Sequence, residues 1–422
     1  MPSQKKSVPT TTITNRDESF QRWLLHFLQG LNIGSLAIPG QMYSFILMAF
    51  FQDAGKAGAY NSTLQSIQSL LVILSGPIVG QCSDAMGRKP ILLASTLTTV
   101  FCRWAMLRNM KSRSALILAR VGGSIGMAWS SLLIAASLSD LAKDDSKKRQ
   151  RYTSTDMAMR GVGIMFGPLI GGYLATNYNN RTVLRSSTIL AAAMSALVAF
   201  SYKETCAAED RRPMNAKAFK KVTGLLGFTN FFGKDKDLAI LAICYAMQDF
   251  AIKTGPIFGV AANLRFGYDQ STIGRWISVY GLSIMTPAFL IPKFIKQYGE
   301  RGTIYAGLFF STLASGCLGL PSASAFWLSL VGFMLGNMKA SAIKSTLLKR
   351  GDKVLDVGKG ELSGYASSMI NVSGMISPQI HSYTFSTFNQ TFPGMPWITC
   401  SAVNAVSMLL FSGVSLTTAN FA

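Results

Sequence analysis

The chain is predicted to be an all-α membrane protein with twelve transmembrane helices arranged as two pseudo-symmetric six-helix bundles. Composition, the spacing of apolar runs and the placement of charge predict the spans, and a long basic connector with an internal shift divides them into two. Hydrophobic residues make up 49% of the 422 residues and charged residues 14%, with a mean hydropathy of +0.30. An ordinary soluble domain carries about 25% charged residues. Apolar runs lie near 24–51, 61–80, 90–107, 115–138, 157–176, 186–201, 238–260, 274–291, 303–320, 325–347, 364–386 and 396–416. Each is close to the ~20 residues a helix needs to cross hydrocarbon.

The connectors set the organisation. Residues 1–21 form a polar, basic leader with no signal-peptide pattern and read as a cytoplasmic tail. The first bundle is expected over 22–201, a basic cytoplasmic linker over 202–237, the second bundle over 238–416 and a short tail over 417–422. The linker holds Glu209-Asp-Arg-Arg-Pro213 and the pair Lys220-Lys221. The formal charge of +21 does not indicate nucleic acid, because the cations alternate by loop and do not interleave with aromatic residues. Lys147, Lys148, Arg149, Arg151, Lys349 and Arg350 fall on one side, and Arg108, Lys111 and Arg113 on the other. A cytoplasmic bias of Lys and Arg then places both termini in the cytoplasm. The membrane itself, plasma membrane or endomembrane, is left open. Sequons at Asn61, Asn180 and Asn389 fall on the expected outer connectors and are candidate glycosylation sites. Asn371-Val-Ser falls inside a span.

Along the chain, the first span presents His26, Gln29, Asn32 and Gln41 but no carboxylate. His26 is expected at the surface. Between the second and third spans lies Gly80-Gln-Cys-Ser-Asp84-Ala-Met-Gly87-Arg88-Lys89-Pro90, a charged turn that cannot sit in hydrocarbon. In the fourth span Arg120 is an intramembrane charge, and Asp140 ends it. The fifth carries Gly161-Val-Gly163-Ile-Met-Phe-Gly167-Pro168-Leu-Ile-Gly171-Gly172. Glycines four apart share a helix face and admit a neighbouring backbone, while Pro168 removes a helix hydrogen bond. Asp249 and Lys253, and likewise Asp156 and Arg160, are spaced to neutralise one another. Lys339 lies within the tenth span.

The Gly-x-x-x-Asp-x-x-Gly-Arg-Lys spacing at 80–89, placed after the second span, resembles the signature loop of the major facilitator superfamily. The resemblance extends over most of residues 20–416. It implies secondary transport by alternating access between two bundles. It further implies a conformational gate formed by Asp84, Gly87, Arg88, Lys89 and Asp140, in which Asp84 approaches the start of the eleventh helix near Gly364 and Arg88 pairs with Asp140. The glycine element with Gly163, Gly167, Pro168, Gly171 and Gly172 resembles the drug and tetracycline:proton antiporter branch, from which the missing carboxylate in the first span departs. Arg120 loosely matches the family's Arg-x-x-x-Gly element.

A shift of about 212 residues lays Gly87 on Gly299, Asp84 on Lys296 and Arg88 on Glu300, with charges inverted, and a shift of about 210 lays Gly167-Pro168 on Ser377-Pro378. Such duplication suits a path at the interface of two repeats.

Arg120, Asp249, Lys253 and Lys339 are the candidate coupling or substrate-cavity residues, since an intramembrane charge needs a partner or an aqueous cavity. The expected partners are the lipid bilayer, a small-molecule substrate and protons, with no nucleic acid. Six scattered cysteines and two distant histidines suggest neither a disulfide framework nor a metal site. No phosphate loop supports ATP use. No cofactor is expected, and an enzyme is not. The leading reading is proton-coupled efflux of a small organic solute. Facilitated or symport transport of a sugar or polar solute is the alternative, and a non-transporting scaffold or receptor is the alternative of another class.

Overall fold

The computed structural model describes residues 15–142, 145–206, 209, 211, 221–355 and 359–414. Assignments made on the sequence to the extreme termini and to Asp210, Arg212, Pro213 and Lys220 lie outside the described residues. The regular structure is helical, and the helices fall along the chain as twelve rods. These are α1 (Asp17–Phe51), α2 (Ala54–Met86), α3 (Arg88–Arg108), α4 (Arg113–Ala142), α5 (Arg151–Asn177) and α6 (Asn180–Phe200). The second set is α7 (Lys236–Phe250 with Gly255–Phe266), α8 (270–298), α9 (300–319), α10 (Ala323–Val354), α11 (Lys359–Phe388) and α12 (Met395–Ser412). Nine of the described helices are long and apolar enough to cross a membrane, and the bent pair of α7 makes ten. Leu328, Leu409, Ile189, Phe101 and Phe289 are 59–69% exposed, as expected of rods whose outer solvent is lipid.

Local chemistry sets the breaks. The side chain of Asp53 accepts a bond from the Lys56 amide and starts α2 early. α7 bends by 45° between Phe250 and Gly255, where Pro256 follows as an N-terminal proline. α8 and α9 meet at Gly299, whose φ of 69° and ψ of 177° belong to a region essentially reserved for glycine.

Packing differs between the two ends of the rods. At the end away from the Gly80–Pro90 turn, one apolar core joins both halves, with Ile38, Met42, Leu47 and Leu64 packed with Ile257, Phe258, Trp276, Phe385 and Trp397. At the turn's own end, the hinge end, there are two separate cores. One contains Leu24, Leu28, Leu92, Leu133 and Val198 of the first half. The other contains Leu238, Leu241, Ile343, Leu347 and Leu362 of the second. Leu70, Leu71, Leu74 and Ile78 on the hinge half of α2 are 38–44% exposed. The protein is therefore closed at the far end and open between its halves at the hinge end.

Asn61 requires a correction. Because Asp53 starts the helix early, Asn61 lies two turns inside α2, only 3% exposed, with Nδ2 donating to the Pro256 carbonyl at 2.8 Å. It belongs to the seal between the halves and lacks the exposure a glycosylation site needs. Asn180 opens α6 and Asn389 sits in the turn after α11, both half-buried at the far end.

Candidate functional site

The hinge converges on one guanidinium. Arg88, at the start of α3, reaches Asp84 through Nη1 at 2.5 Å and Asp140, at the end of α4, through Nε at 2.9 Å. Its Nη1 also donates to Ser83 Oγ at 2.6 Å. Gly87 supplies the turn with φ 102° and ψ 162°. Behind it stands Glu204, which the sequence analysis did not single out. Its Oε1 accepts from the amides of Arg88 (2.8 Å), Thr205 (3.1 Å) and Cys206 (3.1 Å), and its Oε2 accepts from Lys89 (3.0 Å). A carboxylate on these amides suits both the orphan donors and the positive dipole of a helix N-terminus. The only earlier signal was an acid four residues beyond the sixth span.

Asp84 does not reach α11. Its carboxylate is 44% exposed and paired with Arg88, and nothing lies within 4 Å of the position a Cβ on Gly364 would take. The reason is the separation of the halves at this end.

The second half repeats the device with inverted charge. Gly299 makes the same kind of turn, and Glu300 pairs with Lys349 near the end of α10, as Arg88 pairs with Asp140. The sequence shift located Glu300 but not its partner.

α5 carries two contact faces. Toward α1, a Cβ on Gly163 would lie 2.8 Å from the Gly30 carbonyl and the Gly34 amide, one on Gly167 2.6 Å from Ala37 Cβ, and one on Gly171 inside the Ile38 backbone. Toward α8 of the other half, a Cβ on Gly172 would meet the Gln270 carbonyl at 2.6 Å, and one on Gly274 would collide with the Pro168 carbonyl. Only glycine permits backbones this close. The matching positions of α11 are Ser373, Ser377 and His381. There α7 and α11 meet through side chains, with His381 Nε2 2.8 Å from the Phe250 carbonyl and Ser373 Oγ 3.5 Å from the Ala246 carbonyl, beside an open apolar groove of about 450 Å³ lined by Met247, Phe250, Met369, Ile376 and Val403.

The intramembrane charges separate into three situations. Asp249 is buried, with Oδ1 3.6 Å from Lys253 Nζ. Its Oδ2 lacks a hydrogen bond of ordinary geometry, with the Ser373 hydroxyl as its neighbouring donor. Lys253 lies in the bend of α7 and approaches Gly374 of α11 beside Ser69 of α2, so this pair adjoins the contact between halves. Arg160 bonds Asp156 at 3.0 Å, and with its amide turned end for end Gln29 places its oxygen 2.9 Å from Arg160 Nε.

Arg120 lies in a short π-helical stretch of α4, Leu118–Gly122, a distortion frequent at functional sites. Its Nη1 donates to Gln68 Oε1 (3.2 Å) and Ser124 Oγ (3.3 Å), and its Nη2 to Gln65 Oε1 (2.9 Å). It stands 5.8 Å from the centre of the Tyr43 ring.

Lys339 is the third situation and corrects its placement in a cavity between the halves. It is 2% exposed, its backbone abuts Gly307 of α9, and its Nζ donates to Asn404 Oδ1 of α12 at 2.6 Å. It is folded into the second half. His26 is likewise buried, at 2% exposure, between the rings of Trp23 and Tyr152, and is not a surface residue.

Two helical halves, sealed at one end, open at the other and lined by intramembrane charges, define a polytopic membrane transporter. The family model of the Major Facilitator Superfamily matches residues 23–378, and the chain belongs to that family of secondary transporters. It is similar to the class C tetracycline resistance protein of Escherichia coli, at 25% identity covering 90% of this chain and 92% of the relative. The class H tetracycline resistance protein of Pasteurella multocida is 25% identical over 92% and 93%. Among solved structures, the human organic anion transporter MFSD10 (TETRAN) superposes with a TM-score of 0.70 at 16% identity, covering 93% of this chain and 99% of that one, a likeness of fold.

Proposed function

We propose that this transporter exports a small organic solute in exchange for protons and that its hinge end faces the cytoplasm. The cationic loops at the hinge end support that orientation, which makes the form described here inward-open. Asp249 carries the coupling proposal: it is a buried carboxylate with one oxygen on Lys253 and the other lacking a hydrogen bond of ordinary geometry, beside the bend of α7 where the halves meet. Protonation changes the cost of keeping such a group away from water. A proton that binds the two conformations unequally shifts the balance between them. The tetracycline resistance relatives support export as the direction.

The gate follows from the hinge geometry. Arg88 holds Asp84 and Asp140 within the first half, and closure of the hinge end brings Asp84 to the amino-terminal end of α11. Such an end favours a carboxylate by about 0.3–1 kcal/mol at an exposed site.

The coupling test uses proteoliposomes with an imposed pH gradient and a panel of labelled organic solutes. Asp249→Asn is expected to abolish gradient-driven flux while sparing solute counterflow, which needs no net proton movement. Equal retention of both activities removes Asp249 from the coupling step.

A further inference from the structure

One group on the first-half side of the seam is a cation without an ion pair among the described residues. Arg120 makes three hydrogen bonds, all to neutral oxygens, and no ion pair with any described residue. A guanidinium has five N–H donors. Nε and one hydrogen of Nη2 therefore have no partner among the described residues. Those neighbouring nitrogens can form the fork with which arginine grips a carboxylate through two parallel bonds.

Its position is fixed by α2. Asn61, Gln65 and Gln68 recur at helical spacing and lie on one face. Asn61 touches Pro256 of α7 in the other half, and the two glutamines hold Arg120 one and two turns further toward the hinge end. Ser44, beside Tyr43, lies against Gly259 of the same helix α7. Arg120 thus sits just below the far-end seal, at the closed end of the opening between the halves.

The surrounding charges do not cancel it. Asp156 neutralises Arg160, and Asp249 neutralises Lys253. Lys344 of α10 lies within the field of Arg160 from the opposite half and makes no ion pair among the described residues. Arg120 and Lys344 leave the seam with surplus positive charge, and a desolvated cation is costly until an anion or further hydrogen bonds satisfy it.

We infer that the transported solute is an organic anion whose carboxylate is bound by the free Nε/Nη2 edge of Arg120, with Gln65, Gln68 and Ser124 holding the guanidinium in place. This rests on the transport reading and adds the charge class of the solute. The glutamines accept from Arg120, so the arginine is aimed without being neutralised. Lys344 adds long-range attraction for an anion entering from the hinge end.

The test uses the full-length protein in detergent and two dyes on one xanthene scaffold. These are fluorescein, which presents a carboxylate, and rhodamine 123, a cationic ester, with affinities read by fluorescence polarisation at pH 7. Fluorescein is expected to bind at least about tenfold tighter than rhodamine 123, and Arg120→Gln to remove that preference, the scale of a charge-assisted hydrogen bond. Arg120→Lys keeps the charge but not the fork and falls between. Each variant is accepted only if it elutes as a single species, and Arg108→Gln, remote from the seam, serves as the control that retains the preference. A wild type that binds no fluorescein, or that prefers the cation, overturns the inference. So does a folded Arg120→Gln protein with unchanged fluorescein affinity. The same dyes in proteoliposomes separate the two readings. Arg120-dependent fluorescein flux without proton movement leaves the anion site standing and defeats proton coupling, whereas proton-coupled rhodamine flux indifferent to Arg120 does the reverse.

Discussion

The two hinges of this protein share a backbone and differ in what supports it. Gly87 and Gly299 both adopt a conformation with positive φ and extended ψ, and each precedes a charge paired across to the end of the helix after next. In the first hinge Arg88 is 11% exposed, holds two carboxylates and a serine, and rests on a glutamate that satisfies four amides. In the second, Glu300 and Lys349 are 27% and 53% exposed, and no described atom crowds Gly299. The turn is thus present in both halves, while the buttressed network is built on one. The first hinge carries a partly buried network within its own half, and the second carries one more exposed pair.

The largest expected difference between them is electrostatic. Arg88→Ala leaves Asp84 and Asp140 without their shared cation and is expected to cost about 2–3 kcal/mol, the scale of hydrogen bonds to charged groups. Lys349→Ala breaks a mostly exposed pair and is expected to cost at most about 1 kcal/mol. Thermal melts of the two purified variants measure this. Equal losses erase the contrast between the hinges.

A smaller difference separates the glycines. Gly299→Ala incurs only the strain of a residue forced into that region, about 1–3 kcal/mol. Gly87→Ala incurs the same strain and also brings its methyl within 2.5 Å of the Glu204 carboxylate. Its melting temperature is expected to fall further. Glu204→Gly in the Gly87→Ala background, set against Glu204→Gly alone, sharpens the point, because both lack the four amide contacts and the remaining difference is the strain without the collision.

The smallest effect is at Asp235, in the connector before α7. Arg350, bonded to its carboxylate, holds Asp235 below the usual carboxylate range. A depressed carboxylate contributes stability that is fully present above its unfolded value of about 3.9 and is lost as pH falls through the folded value. The melting-temperature difference between wild type and Asp235→Asn is therefore expected to vanish below that value. High salt shrinks it at every pH. A difference that does not shrink as the pH is lowered from 5 to 2 contradicts this assignment.

The ease with which each element was read from sequence follows its physical range. The rods and the glycine face of α5 were legible because span length and four-residue spacing are local properties. Arg88 with Asp140 was legible only through a family resemblance, since the two are 52 residues apart. Glu204 was missed because a linker acid gives no sign of which helix end it caps, and Lys349 because the duplication marks one member of a pair. Asn61 was misread because a sequon says nothing about burial once Asp53 has moved the helix start. Lys339 was misread because a lone lysine in an apolar helix does not reveal which of its neighbours it faces.

Rocking of the two halves, joined at the far end in one state and at the hinge end in the other, is the central claim. Double electron–electron resonance tests it most directly, with spin labels at Ile78 and Ser367 on the hinge halves of α2 and α11, and at Lys56 and Thr387 near their far ends. The account predicts two distance populations for each pair. As pH is lowered from 7.5 to 5.5, one hinge-end population should grow in step with the opposite population at the far end. A single distance for each pair, unchanged by pH and by added solute, contradicts it.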